Sequence, residues 1–206
     1  YVEHALQIAM HVSRANTVIG DRSFSNDPAT VTSYAGAFAR GLRDAGVLPV
    51  LKHLPGHGRV TADSHLRVRV VDTDRATLEA TDFAAFRPLS SLPLGMTAHV
   101  VFSAIDAAQP ATTSAIMIGD VIRGSIGFEG LLMSDDVSMG ALSGTLAERS
   151  RLAIAAGCDL VLHCNGRMDE MREVADASPP LTGEALRRAE RALSLRRVLG
   201  DFDVAA

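Results

Sequence analysis

A cycle repeats along this 206-residue chain: a short apolar run, a polar loop, an amphipathic segment, then another apolar run. Val47 to Leu51, Leu94 to Phe102, Gly130 to Met133 and Asp159 to Cys164 are the clearest runs, and Leu6 to Val12 alternates like one more strand. Between them lie segments of helical period. Asp27 and Pro28 read as N-cap and first position of a helix with Val31, Tyr34, Ala35, Phe38, Ala39 and Leu42 on one face, stopped by Gly46. Further helices are expected at about Asp74 to Phe86, from Pro110 to Ile126, at Leu146 to Ala156, Arg167 to Ala177 and Gly183 to Leu199. No hairpin signal joins one run to the next, so parallel β/α units are predicted.

An open doubly wound sheet and a closed barrel both satisfy that pattern. No G-x-G-x-x-G follows any strand, so the dinucleotide fingerprint is missing. Polar clusters instead follow several successive strands: Lys52-His53, Thr97 to His99, Ser134-Asp135-Asp136 and His163 to Asn165. Delivery of side chains to one shared mouth is the habit of a (β/α)8 TIM barrel, and this α/β fold is predicted as a single domain over residues 1–206. About five strands are countable, so the chain reads as the carboxyl-terminal part of a barrel lacking its N-terminal strands.

Composition excludes other classes. With 47% hydrophobic and 21% charged residues the chain can bury a core, and a net charge of −4 with scattered arginines offers no field for nucleic acid. No apolar run is long enough to span a membrane. Cys158 and Cys164 are too few and too close for a disulfide framework, so a soluble, cytoplasmic protein is expected. Lys52 is the only lysine, which invites a specific role.

The chemistry concentrates at Lys52 to His65, KHLPGHGRVTADSH, and at Asp135-Asp136. A carboxylate at a strand end can attack an anomeric carbon if a second group protonates the leaving oxygen. Adjacent side chains on extended backbone point to opposite sides, so one Asp faces the mouth and the other caps the following turn. A histidine can give a proton in one step and take it back in the next, and Asp63 is placed to orient His65. His53 and His57 have the i, i+4 spacing of a metal pair, but Pro55 and Gly56 forbid the helix that would present them, and neither metal nor cofactor is expected. His57 is expected to bond loop backbone, and His99 and His163 to be mouth or core residues.

VIGDRSFSNDP, KHLPGHGRVTADSH, MTAHVVFSAID and GFEGLLMSDDVSMGAL resemble the signature stretches of bacterial beta-N-acetylhexosaminidases of glycoside hydrolase family three. The resemblance implies a (β/α)8 barrel that releases N-acetylglucosamine from 1,6-anhydro-N-acetylmuramic acid and its peptide-bearing forms in peptidoglycan recycling. It implies Asp135 as nucleophile, His65 as acid/base with Asp63 as its partner, and Arg22, Lys52 and His53 as sugar contacts. A further substrate-binding Asp and Arg would then lie upstream of Tyr1. The alternatives are a family-three beta-glucosidase, from which the Asp63-Ser64-His65 stretch distinguishes it, and a silent barrel fragment that self-associates through open strand edges.

Overall fold

The computed structural model describes residues 5–7, 24–60 and 69–196. Five strands form the main sheet: β1 (Ala5–Gln7), β2 (Val50–Leu54), β4 (Leu94–Thr97), β6 (Leu131–Asp136) and β7 (Leu160–Leu162). They stand in the order β1-β2-β4-β6-β7, and every pairing is parallel. Two shorter strands, β3 (Arg69–Val71) and β5 (Val100–Phe102), pair in parallel as a separate ribbon.

Strand order decides between the two architectures. A doubly wound sheet reverses direction at a switch point and carries helices on both faces. Here the order follows the sequence without reversal, and among the described residues the helices pack on one face. Leu51, Leu54 and Leu132 share one large cluster with Val31, Ala35 and Ala39 of α1 (Pro28–Asp44), Leu78 of α2 (Arg75–Ala80) and Phe83 and Phe86 of α3 (Asp82–Phe86). The same cluster takes in Met117, Ile118, Val121 and Ile122 of a π-helix (Met117–Ser125), and Ala153 and Ala156 of α4 (Leu146–Ala156). The other face holds Val50, Met96 and Met133, edged by Leu94, Leu160 and Leu162, with no helical residue among them. Side chains alternate between the two faces, as the pleat requires. This is a segment of a TIM-barrel-like α/β fold whose barrel interior is the helix-free face. Two more helices, α5 (Met168–Ala177) and α6 (Gly183–Ser194), follow β7.

Local signals account for most element ends. Asp27 caps α1 by accepting from the Thr30 backbone N–H at 2.7 Å, with Pro28 at the first position. Thr145 and Glu148 form a capping box on α4, and Gly157 closes that helix at φ 115°. Other expectations need correction. Tyr34 and Phe38 lie exposed on α1, and Ile116 is exposed before the π-helix. The segment Asp74 to Phe86 breaks at Thr81 into two helices, because the side chain of Asp82 turns inward to Arg59. Leu94 to Phe102 is two strands, since the chain leaves the main sheet at Ala98-His99. The strand expected at Val47 to Leu51 runs instead from Val50 to Leu54, so Lys52 and His53 lie inside it. Of the strand expected at Leu6 to Val12, residues 8–12 lie outside the described residues.

Candidate active site

Both chemistry-bearing strands slip register where the chemistry sits. β2 pairs with β4 at Leu51↔Gly95 and again at Leu54↔Thr97, so β2 carries one extra residue across Lys52-His53. β6 pairs with β7 at Met133↔Leu160 and again at Asp136↔Leu162, so β6 carries one extra residue across Ser134-Asp135. An extra residue bends a strand and re-aims its side chains, and such shifts concentrate next to active sites. The Lys52–His53 and Leu54–Pro55 peptides are cis.

The two shifted stretches meet. His53 Nε2 lies 3.6 Å from Asp135 Oδ2, with the side chains 13% and 17% exposed, although β4 separates their strands in the sheet. Only side chains on the same face, leaning across the intervening strand, can make that approach. It is the face of Val50, Met96 and Met133, so the carboxylate stands above an apolar floor at the carboxyl ends of the strands. The other Asp oxygen, Oδ1, accepts from the Asp136 backbone N–H at 2.9 Å.

Asp136 is spent on structure. Its Oδ1 accepts from the backbone N–H of Ser138 at 2.9 Å and of Cys164 at 3.2 Å, and its Oδ2 accepts from the Ser138 hydroxyl at 2.7 Å. The loop that follows is pinned from several sides. Val137 N–H donates to Leu162 O, and Arg149 of α4 donates to the carbonyls of Val137 and Met139. His99, 3% exposed, sits behind the turn with Nε2 2.9 Å from the Asp136 carbonyl oxygen.

The loop after β2 is fastened by side chains. His57 Nε2 accepts from Arg69 Nη1 at 2.9 Å, and its ring stands 5.5 Å from that of His53. Arg59 ties the same loop to α3, donating through Nε to Asp82 at 2.6 Å and through Nη2 to Thr81 at 2.9 Å. Gly56 takes φ 150° there, a conformation that a side chain resists. His163 Nε2 pairs with Glu170 of α5 at 2.9 Å, which together with Asn165 holds the Glu170 carboxyl below its ordinary range. Among the described residues no group of three or more His, Cys, Asp or Glu could hold a metal ion.

Of the residues singled out in the sequence, the structure brings Asp135 and His53 together and sets Lys52 beside His53 on β2. Arg22, Asp63 and His65 lie outside the described residues. Sequence reasoning missed Arg149, which no helical pattern distinguishes, and Asp159, which does leave a signal: an acidic residue inside the apolar run Cys158 to Leu162.

Sequential parallel strands with helices on one side, and a carboxylate and an imidazole above an apolar floor at the strands' carboxyl ends, define a segment of a (β/α)-barrel. The chain belongs to the family of the glycosyl hydrolase family 3 N-terminal domain, whose sequence model matches residues 8–199. A beta-hexosaminidase of Alkalilimnicola ehrlichii is 47% identical over 164 residues, which take in 78% of this chain and 46% of that protein. One of Tolumonas auensis is 43% identical over 163 residues, taking in 77% and 48%. NagZ from Neisseria gonorrhoeae, solved in complex with N-trifluoroacetyl-D-glucosamine, matches with a TM-score of 0.81 at 36% identity, covering 95% of this chain and 55% of that one. The chain thus spans about half the length of the curated relatives it matches.

Proposed function

We propose that this chain carries the catalytic strands of a retaining beta-N-acetylhexosaminidase, with Asp135 as the nucleophile. The observation that carries the reading is the unequal fate of two neighbouring carboxylates. Asp136 is saturated by Ser138 and Cys164, whereas Asp135 stands at the mouth with one oxygen toward His53. In a retaining displacement a carboxylate attacks the anomeric carbon to form a glycosyl ester, while a proton donor assists departure of the leaving oxygen. The same donor then takes a proton from water as water attacks the ester. The motif resemblance gives that double duty to His65, oriented by Asp63, and gives Arg22, Lys52 and His53 to the sugar hydroxyls. Lysine suits that task as a compact point-charge donor. The hexosaminidase relatives and the ligand of the gonococcal neighbour favour a terminal N-acetylglucosaminyl group over glucose. We read the physiological substrate as N-acetylglucosaminyl-1,6-anhydro-N-acetylmuramic acid, with or without peptide, recycled in the cytoplasm, where Cys158 and Cys164 remain thiols.

The test is covalent trapping of the full protein by a fluorinated N-acetylglucosaminyl donor, followed by mass spectrometry. The label is expected on Asp135; Asp135→Asn should abolish labelling, and Asp136→Asn should keep the attacking group. A label on Asp136 overturns the assignment. Faster hydrolysis of a chromogenic glucoside than of the matching N-acetylglucosaminide overturns the specificity.

A further inference from the structure

The buried side of the Asp135-Asp136 turn holds a polar chain that the hydrolytic scheme above does not use. His99, Thr97 and Thr112 are all buried, in a stretch otherwise packed with apolar side chains. Thr97 Oγ1 lies 2.8 Å from Thr112 Oγ1, Thr112 Oγ1 lies 2.7 Å from His99 Nδ1, and His99 Nε2 lies 2.9 Å from the carbonyl oxygen of Asp136.

The donors in this chain can be assigned by elimination. A carbonyl only accepts, so Nε2 carries a hydrogen. In a neutral ring Nδ1 is then an acceptor, and Thr112 must donate to it. The single Thr112 proton being committed, Thr97 donates to Thr112. If the ring gains a proton, Nδ1 donates to Thr112 and the Thr112 hydroxyl turns to the Ala98 carbonyl, 3.1 Å away. Donation from Nε2 to Asp136 survives in both states. Burial favours the neutral one, holding the His99 pKa below its ordinary value.

We propose that His99 is a positioning residue for the nucleophile: anchored by Thr112, its Nε2–H fixes the carbonyl of Asp136, and so holds the start of the turn that leads directly out of Asp135. The inference rests on the reading of Asp135 as the nucleophile. The mechanical case is that Asp135 sits at a register shift, where the regular ladder to β7 is interrupted between Met133 and Asp136. Pairing with β7 resumes at Asp136, where the Val137 N–H donates to the Leu162 carbonyl at 2.9 Å, so the Asp136–Val137 peptide is the first fixed point after Asp135. The carbonyl end of that peptide accepts from His99 and from the Met139 backbone N–H at 3.1 Å, so the imidazole fixes from outside the turn the end that β7 does not bond. His99 is also buried, at 3% exposure, and bonds the backbone of the turn rather than either carboxylate. Thr97 ends β4, the strand lying between β2 and β6, so the chain ties the nucleophile's turn to the strand that separates Asp135 from His53.

The experiment measures covalent labelling of the full protein by the fluorinated donor, separating the maximal labelling rate from the half-saturating concentration. His99→Leu removes the donor, while His99→Gln places an amide N–H near the position of Nε2. His99→Leu should slow maximal labelling of Asp135 about tenfold or more, as small misplacements of a reacting group do, with half-saturation little changed. His99→Gln should recover most of that loss. Labelling by His99→Leu at the parental rate overturns the proposal, as does equal slowing by both variants, which would mark His99 as packing. Should His99→Leu not fold, Thr112→Val keeps the ring but frees its Nδ1; a labelling rate reduced about threefold supports the proposal, and a parental rate overturns it. A label on another carboxylate in the parent protein would instead overturn the reading of Asp135, which the variants do not probe.

Discussion

Protons separate the buried histidine from the rest of the site. The His99 pKa is lowered chiefly by desolvation, against the raising influence of the Asp136 carbonyl and of the Asp135 and Asp136 charges, with Arg149 lowering it further. A free histidine titrates near pH 6.5, so below about that pH the unfolded chain binds a proton that the folded chain refuses. Stability from this group is therefore complete above about pH 6.5 and is lost as pH falls toward the folded value. His99→Gln lacks that loss. The stability gap between parent and His99→Gln, read from urea unfolding, should accordingly narrow from pH 8 to pH 5, and a gap that widens would contradict the burial argument. The cysteines give a second check at this scale. Burial pushes the Cys158 thiol up to about 12, whereas Cys164 is exposed at the end of β7. A thiol reagent at neutral pH should modify Cys164 alone in the folded protein and reach Cys158 only in denaturant. The residue types were legible where chemistry and spacing coincide: adjacent Asp side chains had to diverge, and they do. What could not be read was which partners pin the turn that carries them, because His99, Arg149 and Cys164 come from elements far away in sequence.

Elements were legible where their end signals are local. Asp27-Pro28 and Thr145 with Glu148 announce the starts of α1 and α4, and Gly157 announces the end of α4. They were misread where tertiary contact overrides the pattern: the polar pair Lys52-His53 suggested that β2 ends at Leu51, yet pairing with β4 carries the strand on to Leu54. The break at Thr81 likewise answers to Arg59, not to local propensity. The strongest tie between elements went unseen. Asp159, buried at the start of β7, accepts from Arg123 at 2.8 Å, from Arg188 of α6 at 2.8 Å and from the Leu132 backbone N–H at 2.8 Å. Arg123 in turn donates to the carbonyls of Phe128 and Gly130. One carboxylate thus clamps the π-helix, α6, β6 and β7 at the end of the sheet remote from Asp135. Removing one partner of a buried ion pair costs about 3–5 kcal/mol, because the other charge stays behind unpaired. Asp159→Ala should lower unfolding stability by about that amount while leaving labelling of Asp135 by the folded fraction near the parental rate. A loss under about 1 kcal/mol would show the two arginines finding water instead.

At the scale of the whole molecule, parallel order follows from what the sequence lacks, since only crossovers joined these runs; the face bearing helices was not legible, because alternation marks two faces without saying which is which. Internal strands β4 and β6 are paired on both sides, and β7 is paired on one side among the described residues. Amide hydrogen exchange should therefore be slowest at Leu94 to Met96 and Leu131 to Met133 and faster through Leu160 to Leu162. Equal protection of β7 would point to a partner along its outer edge, whether more chain or a second copy. The unreversed strand order also bears on how the molecule is made. Each strand from β2 onward in the main sheet finds a neighbour already synthesised. Growth from the amino end can then proceed by adding one β/α unit to the last, as a zip closes, so a pause in translation strands a shorter sheet rather than a mispaired one.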